Sequence, residues 1–336
     1  MKRIFILLFS LAVVFGLGTC YIYSIKNPNV DAVRVYFPRN ATEEMLKDTL
    51  YHHLGADFGE KVFWIWNLNG GNLSTAHGSY VVQPGEKALT VARTIADGRQ
   101  TPVRVTLNNM RTLDDLAKRM ASKLELSASD FLSAVDSVLG NDETYRKKSE
   151  FLAAFLPDTY EFYWNVDPEK AVKRLVDVRN LFWNDERCDK AKKLGLTPVE
   201  IAVVASIVEE ESNRKDEHPT IARLYLNRLE KNMLLQADPT VKFAIGDFTM
   251  RRITAHHLKI DSPYNTYLYQ GLPPGPIRIP EKSTIDAVLD APSHRYMYMC
   301  AKEDFSGRHN FAVDYTTHLR NAARYQAELN RRGIRR

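Results

Sequence analysis

The side chain best placed for acid–base chemistry is the carboxylate of Glu211. Four apolar residues precede it at the i, i+3, i+4, i+7 spacing of one buried helix face, and these are Ile201, Val204, Ala205 and Val208. Glu211 and Ser212 are the next positions on that face. Since burial raises the pKa of a carboxyl group, Glu211 is a candidate for an acid that stays protonated near neutral pH. The alternative is a solvated acidic helix end.

The helix that carries Glu211 has clear start signals. Thr197 supplies an N-cap hydroxyl, Pro198 suits the first helical position, and Glu200 stands where its carboxylate can reach back to the cap. A second amphipathic helix is predicted to open at His218. Its apolar positions are Ile221, Leu224, Tyr225 and Leu229.

Polar and proline-rich segments follow these two helices, over residues 235–241, 262–267 and 271–277. Long structured loops inside a compact domain usually carry function. Their Tyr, Asn, Thr and Gln side chains offer ring faces, donors and acceptors, which suit a ligand rich in hydroxyl groups. The Asp238-Pro239-Thr240 sequence is also compatible with a simple turn.

The remaining segments predict an α+β fold. In residues 30–105, strands are expected over 33–37 and 101–107, a strand and turn over 78–86, and helices over 42–54 and 89–95. Residues 112–194 are expected to be mostly helical, with an aromatic loop over 153–162. Near the C-terminus we expect a helix over 283–289, paired strands over 296–301 and 308–312, and a closing helix over 315–332.

The N-terminal region contains an apolar run without a charge, Ile4–Ile25, which follows Lys2 and Arg3. At ~1.5 Å per residue this run forms a helix of ~33 Å, which is long enough to cross a bilayer. We therefore predict an uncleaved single-pass anchor, with its N-terminus in the cytoplasm and the rest of the chain outside the inner membrane. The competing readings are a signal peptide, whose apolar core is usually shorter, and a lipoprotein modified at Cys20 within a poor lipobox.

Composition excludes few classes of function. The 336-residue chain has a net charge of +5, which permits contact with an anionic polymer or with lipid head groups but identifies neither. The cysteines at 20, 188 and 300 lack the spacing of a metal or redox site, so neither is expected. Whether Cys188 and Cys300 pair is left open.

Four segments occur in one order along the chain. They are ASIVEEES (Ala205–Ser212), YLNRLEKNMLLQADPTVKFAIG (Tyr225–Gly246), SPYNTYLYQGLPPGPI (Ser262–Ile277) and GRHNFAVDYTTH (Gly307–His318). Together they resemble the endolytic murein transglycosylases of the YceG-like family. The segment FLPDTYEF resembles the stretch that leads into the family's catalytic domain, and GSYVVQPGE resembles its LysM-like subdomain. The resemblance covers nearly the whole chain after residue 30.

The resemblance implies four parts. They are a membrane anchor at 1–26, a LysM-like subdomain at 30–108, a helical connecting region at 109–194, and a catalytic domain of mixed helices and strands at 195–336. Two departures from the family pattern are visible. Ser212 stands where the family often has threonine, and residues 278–281 read RIPE where Asn-Pro-Gly is more usual, which puts the detail of that loop in doubt.

The implied activity is lytic cleavage of the β-1,4 bond between N-acetylmuramic acid and N-acetylglucosamine inside a glycan strand. No water is consumed, and a 1,6-anhydromuramic end remains. One carboxylate suffices because the sugar's own C6 hydroxyl attacks, whereas an ordinary glycosidase needs two. The family's catalytic glutamate falls on Glu211. Glu209 is either an electrostatic helper that keeps the pKa of Glu211 raised or a surface charge.

The substrate-binding candidates lie in the polar loops. They are Gln236, Asp238, Thr240, Tyr264, Asn265 and Tyr267. His309 is interpreted as a core histidine. No cofactor and no metal are expected. The implied partners are peptidoglycan glycan strands, inner-membrane lipid and peptidoglycan synthases, with no nucleic acid. Two other functions stay open, namely a non-catalytic wall-binding anchor that holds glycan through residues 30–105 and a hydrolytic muramidase.

Overall fold

The computed structural model describes residues 9, 13, 18, 21–250 and 252–334. The predicted membrane anchor at 1–26 lies largely outside these residues. Among the residues that are described, no helix is both long enough and apolar enough to cross a membrane.

The first third of the described chain alternates strands and helices. Its elements are β1 (Val33–Phe37), α1 (Glu43–Leu54), α2 (Ala56–Leu68), α3 (Leu73–Ala76), β2 (Gly78–Val82), α4 (Ala88–Ala96) and β3 (Val103–Leu107). The middle part contains α5 (Leu113–Ala121), α6 (Ala128–Leu139), a 3-10 helix (Lys148–Ala154), β4 (Asp158–Phe162), α7 (Pro168–Phe182) and α8 (Asp185–Lys193).

The last part holds the helix with Glu211. Its elements are α9 (Pro198–Glu211), a 3-10 turn (Lys215–Glu217), α10 (His218–Glu230), α11 (Asp238–Ile245), a 3-10 turn (His257–Lys259), α12 (Lys282–Leu289), β5 (Tyr298–Ala301), β6 (His309–Ala312) and α13 (Tyr315–Arg331). The strands pair two by two, β1 with β2, β3 with β4 and β5 with β6. The predicted α+β class is confirmed.

Several segments differ from the sequence-based expectation. The helices α2 and α3 form where no element was predicted. The aromatic loop predicted over 153–162 contains β4, in which the buried Tyr160 and Phe162 alternate with more exposed neighbours. The supposed turn at Asp238 is the first turn of α11, because Pro239 occupies an early helical position where its missing N–H costs nothing.

The described chain divides into two compact units. The first runs up to Val105 and includes Met120–Ser127 and Glu161–Asp167, and the second comprises Thr106–Arg119, Ala128–Tyr160 and Pro168–Arg336. The four-part division at residues 26, 108 and 194 stays a prediction.

In the first unit, α1, α2 and α4 share one hydrophobic core with the antiparallel pair β1–β2. In this pair Val35 lies opposite Tyr80, and both side chains are buried. The face of α1 that enters the core consists of Leu46, Leu50 and Leu54, which have the i, i+4 spacing of one helix face.

The second unit is built around α9. Val199 and every residue from Ile201 to Val208 are buried, so the helix is enclosed on all sides and not on one stripe alone. The helices α10, α11 and α12 all contact it. The antiparallel hairpin β5–β6 belongs to the same unit, and its register sets Ala301 opposite His309.

Candidate active site

The beginning of α9 is fixed by a capping box. The hydroxyl of Thr197 accepts the N–H of Glu200 at 3.2 Å, and the carboxylate of Glu200 accepts the N–H of Thr197 at 2.7 Å. At the other end the helix stops at Glu211, since Ser212 has extended backbone angles. The buried body of the helix therefore delivers three consecutive glutamates, Glu209 to Glu211, at a defined place.

The first two of these glutamates contact arginines. The carboxylate of Glu209 lies 3.0 Å from the guanidinium of Arg278 and accepts the N–H of Glu281 at 2.7 Å. Glu210 accepts hydrogen bonds from Arg278 at 2.7 Å and from Arg111 at 2.8 Å. The charges of Glu209 and Glu210 are thus neutralised by arginines. Neither interpretation of Glu209 from the sequence predicted its ion pair with Arg278.

Glu211 faces a different environment. Its side chain is half-buried, and Tyr225 of α10 donates its phenolic proton to Oε1 at 2.7 Å. Burial is the largest influence and raises the pKa of Glu211 to about 7. The carboxylate of Asp238 also raises this pKa, whereas the hydrogen bond from Tyr225 and the charges of Arg228 and Lys242 lower it.

A cleft of about 230 Å³ opens beside Glu211, and we call it the polar pocket. It is lined by Glu211, Leu224, Tyr225, Arg228, Leu235, Gln236, Asp238, Tyr267, Met299, Cys300, Ala301 and His309. A second cleft of about 310 Å³, the basic pocket, also reaches Glu211. It is lined by Glu211, Ser212, Asn213, Arg214, Ala301, Lys302, Phe305, Gly307, Arg308, His309 and Tyr325.

Three of the predicted binding residues lie in the polar pocket together with Glu211. They are Gln236, Asp238 and Tyr267. The hydroxyl of Tyr267 donates to Asp238 at 2.6 Å. Gln236 has a φ of 51°, a left-handed conformation that costs about 1 kcal/mol or more in a residue with a side chain. Its N–H donates to the carbonyl of Thr266 at 3.0 Å, which holds this conformation.

The other three predicted residues lie outside the lining of both pockets. Thr240 is fully buried, and its hydroxyl bonds to the carbonyl of Ala237 and to Thr266. Asn265 is also fully buried, and its amide donates to two carbonyl groups of the preceding loop. Tyr264 packs its ring 4.7 Å from that of Phe243. These side chains shape the loop, because a buried loop must satisfy its own polar groups.

Sequence reasoning missed three residues of the site. Tyr225 looked like one apolar position of α10, yet its hydroxyl reaches Glu211. Arg228 is buried and donates to the carbonyls of Met297, Leu234 and Leu235, so it ties α10 to the cleft wall. His309 lines both pockets instead of lying in the core. The polar end of Tyr225 was the one available signal, since a buried tyrosine hydroxyl needs a partner.

The arrangement can perform proton transfer near neutral pH. A carboxyl group with a pKa near 7 both donates and accepts a proton at little cost, which is what general acid–base catalysis requires. Cys188 and Cys300 are both free thiols. Within the described part of the chain, no cluster of His, Cys, Asp and Glu has the makings of a metal site.

Comparison with known proteins identifies a family to which the chain is similar. The sequence matches the model of the YceG-like family over residues 35–324. An endolytic murein transglycosylase of Bacillus subtilis is 31% identical over 223 residues, which are 60% of this chain and 59% of that protein. The endolytic murein transglycosylase of Streptococcus pneumoniae is 31% identical over 144 residues, or 41% of this chain and 26% of that protein. The matched segments thus span less than two thirds of these relatives.

A solved structure shares the fold. It is the crystal structure of a yceG-like protein from Listeria monocytogenes, which superposes with a TM-score of 0.58 at 23% sequence identity. The superposition covers 87% of this chain and 99% of that one.

Proposed function

Because the chain belongs to the YceG-like family, we propose that it is an endolytic lytic transglycosylase of peptidoglycan. It cleaves the β-1,4 bond between N-acetylmuramic acid and N-acetylglucosamine within a strand and leaves a 1,6-anhydromuramic end. The observation that carries this proposal is the environment of Glu211, which combines a half-buried carboxyl group, a pKa near 7 and an open cleft.

The proposed reaction needs one acid–base group. The protonated carboxyl of Glu211 gives its proton to the glycosidic oxygen as the bond from that oxygen to C1 of the muramic residue breaks. The C6 hydroxyl oxygen of the same residue then bonds to C1, and the Glu211 carboxylate takes the hydroxyl proton. Protons and bonds balance without water, and Glu211 ends as it began.

Tyr225 has a positioning role in this scheme. Its hydrogen bond at 2.7 Å holds the Oε1 atom of Glu211, and burial raises the pKa of Tyr225 well above its ordinary value, so the phenol remains a donor. The carboxylate of Glu209 pairs with Arg278. Its proposed role is therefore to hold the end of α9.

The two pockets supply room for sugars on both sides of the cleaved bond. Both include Glu211, and in the polar pocket Gln236, Asp238 and Tyr267 offer donors and acceptors to sugar hydroxyls. This arrangement supports cleavage inside a strand, because an endolytic enzyme must bind sugar residues on either side of its acid.

The test is product analysis after incubation with isolated sacculi. The wild-type protein should release fragments with anhydromuramic ends, which mass spectrometry recognises because they lack one water. Glu211→Gln keeps the shape and the hydrogen bond from Tyr225 but has no transferable proton, so it should release none. The exposed Glu186→Gln variant serves as the matched control. Release of anhydro-ended fragments by Glu211→Gln would remove this residue from the role.

Two other functions have an observation in their favour. Asp238 is a second carboxylate in the polar pocket, as a hydrolytic muramidase would need, and such an enzyme would leave reducing ends. The first unit carries a groove of about 920 Å³ in which Tyr36 and Trp164 lie 5.0 Å apart beside Arg104 and Lys123. Aromatic faces with cations suit an anionic glycan, so a wall-binding protein would bind sacculi without releasing fragments.

We further propose where the enzyme acts. A peptidoglycan-cleaving domain works outside the cytoplasm, and the apolar run at Ile4–Ile25 would hold it at the inner membrane as a single-pass anchor. Membrane lipid and peptidoglycan synthases are then its neighbours, and its products are the ends of newly made strands.

A further inference from the structure

His309 and Glu217 form a buried pair at the boundary between the two pockets. Glu217 is only 6% exposed, and its carboxylate accepts three hydrogen bonds. The backbone N–H of His309 donates to Oε1 at 2.9 Å, and Nδ1 of the same residue lies 3.1 Å from Oε2. The hydroxyl of Ser212 donates to Oε2 at 3.3 Å.

These contacts fix the imidazole ring at two points. The backbone bond sets the position of His309, and the bond to Nδ1 sets the rotation of its ring. A buried carboxylate is tolerated only where donors satisfy it, which makes this a built arrangement and not a chance surface contact. The ring nitrogen that faces Glu217 is therefore the one that carries the proton.

The same contacts tie the pair to the end of α9. Ser212 follows Glu211 directly, and its carbonyl bonds to the ring of His218 at 2.8 Å. Glu217 thus connects the residue after the proposed acid to strand β6, whose first residue, His309, lines both pockets.

His309 is one of three residues shared by the two pockets, with Glu211 and Ala301. Its side chain keeps 15% of its surface exposed. Since Nδ1 faces Glu217, the second ring nitrogen, Nε2, lies on the other edge of the ring, and within the described residues it makes no hydrogen bond to the protein.

We propose that His309 binds the glycan at the cleavage point, with Nε2 accepting a hydrogen bond from a sugar hydroxyl, and that Glu217 positions the ring and fixes its tautomer. This inference rests on the proposed function, because it takes the ligand of the cleft to be a peptidoglycan strand. His309 is then a substrate-binding residue, and Glu217 acts only through it.

Two variants separate the roles of the two ring nitrogens. In His309→Asn the side-chain amide occupies the place of Nδ1 and keeps the bond to Glu217, while Nε2 is lost. This variant should fold like the wild type and lose about tenfold in kcat/KM, which corresponds to one hydrogen bond. In Glu217→Gln the new amide donates to Nδ1, which moves the proton to Nε2 and turns an acceptor into a donor. A comparable loss of kcat/KM is expected there with the melting temperature preserved.

The effects of the two substitutions on kcat/KM should not be additive. If Glu217 acts through His309, then Glu217→Gln introduced into the His309→Asn protein should change kcat/KM by less than about twofold. The exposed His256→Asn variant is the matched control and should behave as wild type. A full additional loss in the double variant would overturn the assigned role of Glu217.

Binding is measured separately in the Glu211→Gln background, with soluble uncross-linked glycan strands as the probe. His309→Asn should raise the Kd about tenfold in that background. A folded His309→Asn protein with wild-type Kd and wild-type kcat/KM would overturn the proposal. If the wild type releases no anhydro-ended fragments, the proposed function fails, while the binding measurement still decides whether His309 contacts the glycan.

Discussion

At the scale of single residues, the burial of Glu211 makes the stability of the protein depend on pH. Burial favours its neutral form, so the folded protein holds the proton until the pH approaches 7, whereas the unfolded chain releases it near the ordinary value of 4.5. The folded state binds more protons than the unfolded state between these values, and its stability must fall as the pH rises through them. The group that performs the proposed chemistry therefore destabilises the fold at neutral and alkaline pH.

Glu211→Gln should consequently stabilise the protein in a pH-dependent way. The amide never ionises, so the variant avoids the cost of a buried charge, which is at most about 3 kcal/mol once the wild-type carboxyl is ionised. We expect the variant to have nearly wild-type stability at pH 4.5 and a higher free energy of unfolding at pH 8. Urea unfolding followed by circular dichroism at both values measures the difference.

The Glu186→Gln substitution is the control for a general charge effect, because the side chain of Glu186 is 71% exposed. An equal gain for Glu211→Gln at pH 4.5 and pH 8 would show that the carboxyl of Glu211 is not held neutral by the fold.

Sequence reasoning reached Glu211 because helix periodicity fixes which residues share a face. It also reached Gln236, Asp238 and Tyr267, which line the polar pocket. It did not distinguish these from Thr240 and Asn265, because polar residues in a loop serve the loop's own backbone as readily as a ligand. Which of the two they do depends on contacts between segments far apart in the chain.

At the scale of elements, one polar side chain inside α9 holds a loop of the second unit. Ser206 is fully buried, donates to the carbonyl of Val203 at 2.7 Å and accepts the N–H of Ile277 at 3.0 Å. Ile277 ends the GLPPGPI segment. Gly275 of that segment lies so close to the 3-10 helix that a Cβ atom would come within 1.8 Å of the carbonyl oxygen of Ser149. The loop therefore packs closely against the 3-10 helix.

Ser206→Ala should therefore destabilise the protein. The N–H of Ile277 would stay buried without an acceptor, which costs about 1–3 kcal/mol. Chemical unfolding measures this loss. Ser283→Ala, at an exposed position of α12, should change stability by less than about 0.5 kcal/mol. A Ser206→Ala protein as stable as the wild type would mean that the loop finds another acceptor.

The elements that the sequence identified are those with local signals. The capping box of α9 and the apolar spacing of α10 can each be recognised within a short stretch of sequence. The elements it missed, such as α11 and β4, begin with Asp, Pro or Thr, which are equally typical of turns. Their identity is decided by the core against which they pack.

At the scale of the whole molecule, the second unit draws its core from distant parts of the chain. Leu156, Trp183 and Ala191 are buried in the same cluster as the residues of α9. Arg111 pairs with Glu210, and the hydroxyl of Ser149 donates to the carbonyl of Pro274. The family resemblance places the start of the catalytic domain near residue 195, where the family motifs begin. The residues needed for a stable fold are those that form the core, and some of them precede residue 195.

Two fragments of the chain test where the folding unit of the active site begins. A fragment of residues 195–336 lacks Leu156, Trp183 and Ala191, and it would expose the apolar surface of α9 that they cover, so we expect no cooperative thermal transition. A fragment of residues 106–336 contains all of these residues and should unfold cooperatively with near-wild-type circular dichroism in the helical bands. Differential scanning calorimetry distinguishes the two outcomes. Cooperative unfolding of the 195–336 fragment would show that α9 needs only its C-terminal neighbours, and the predicted boundary at residue 195 would then mark an independent domain.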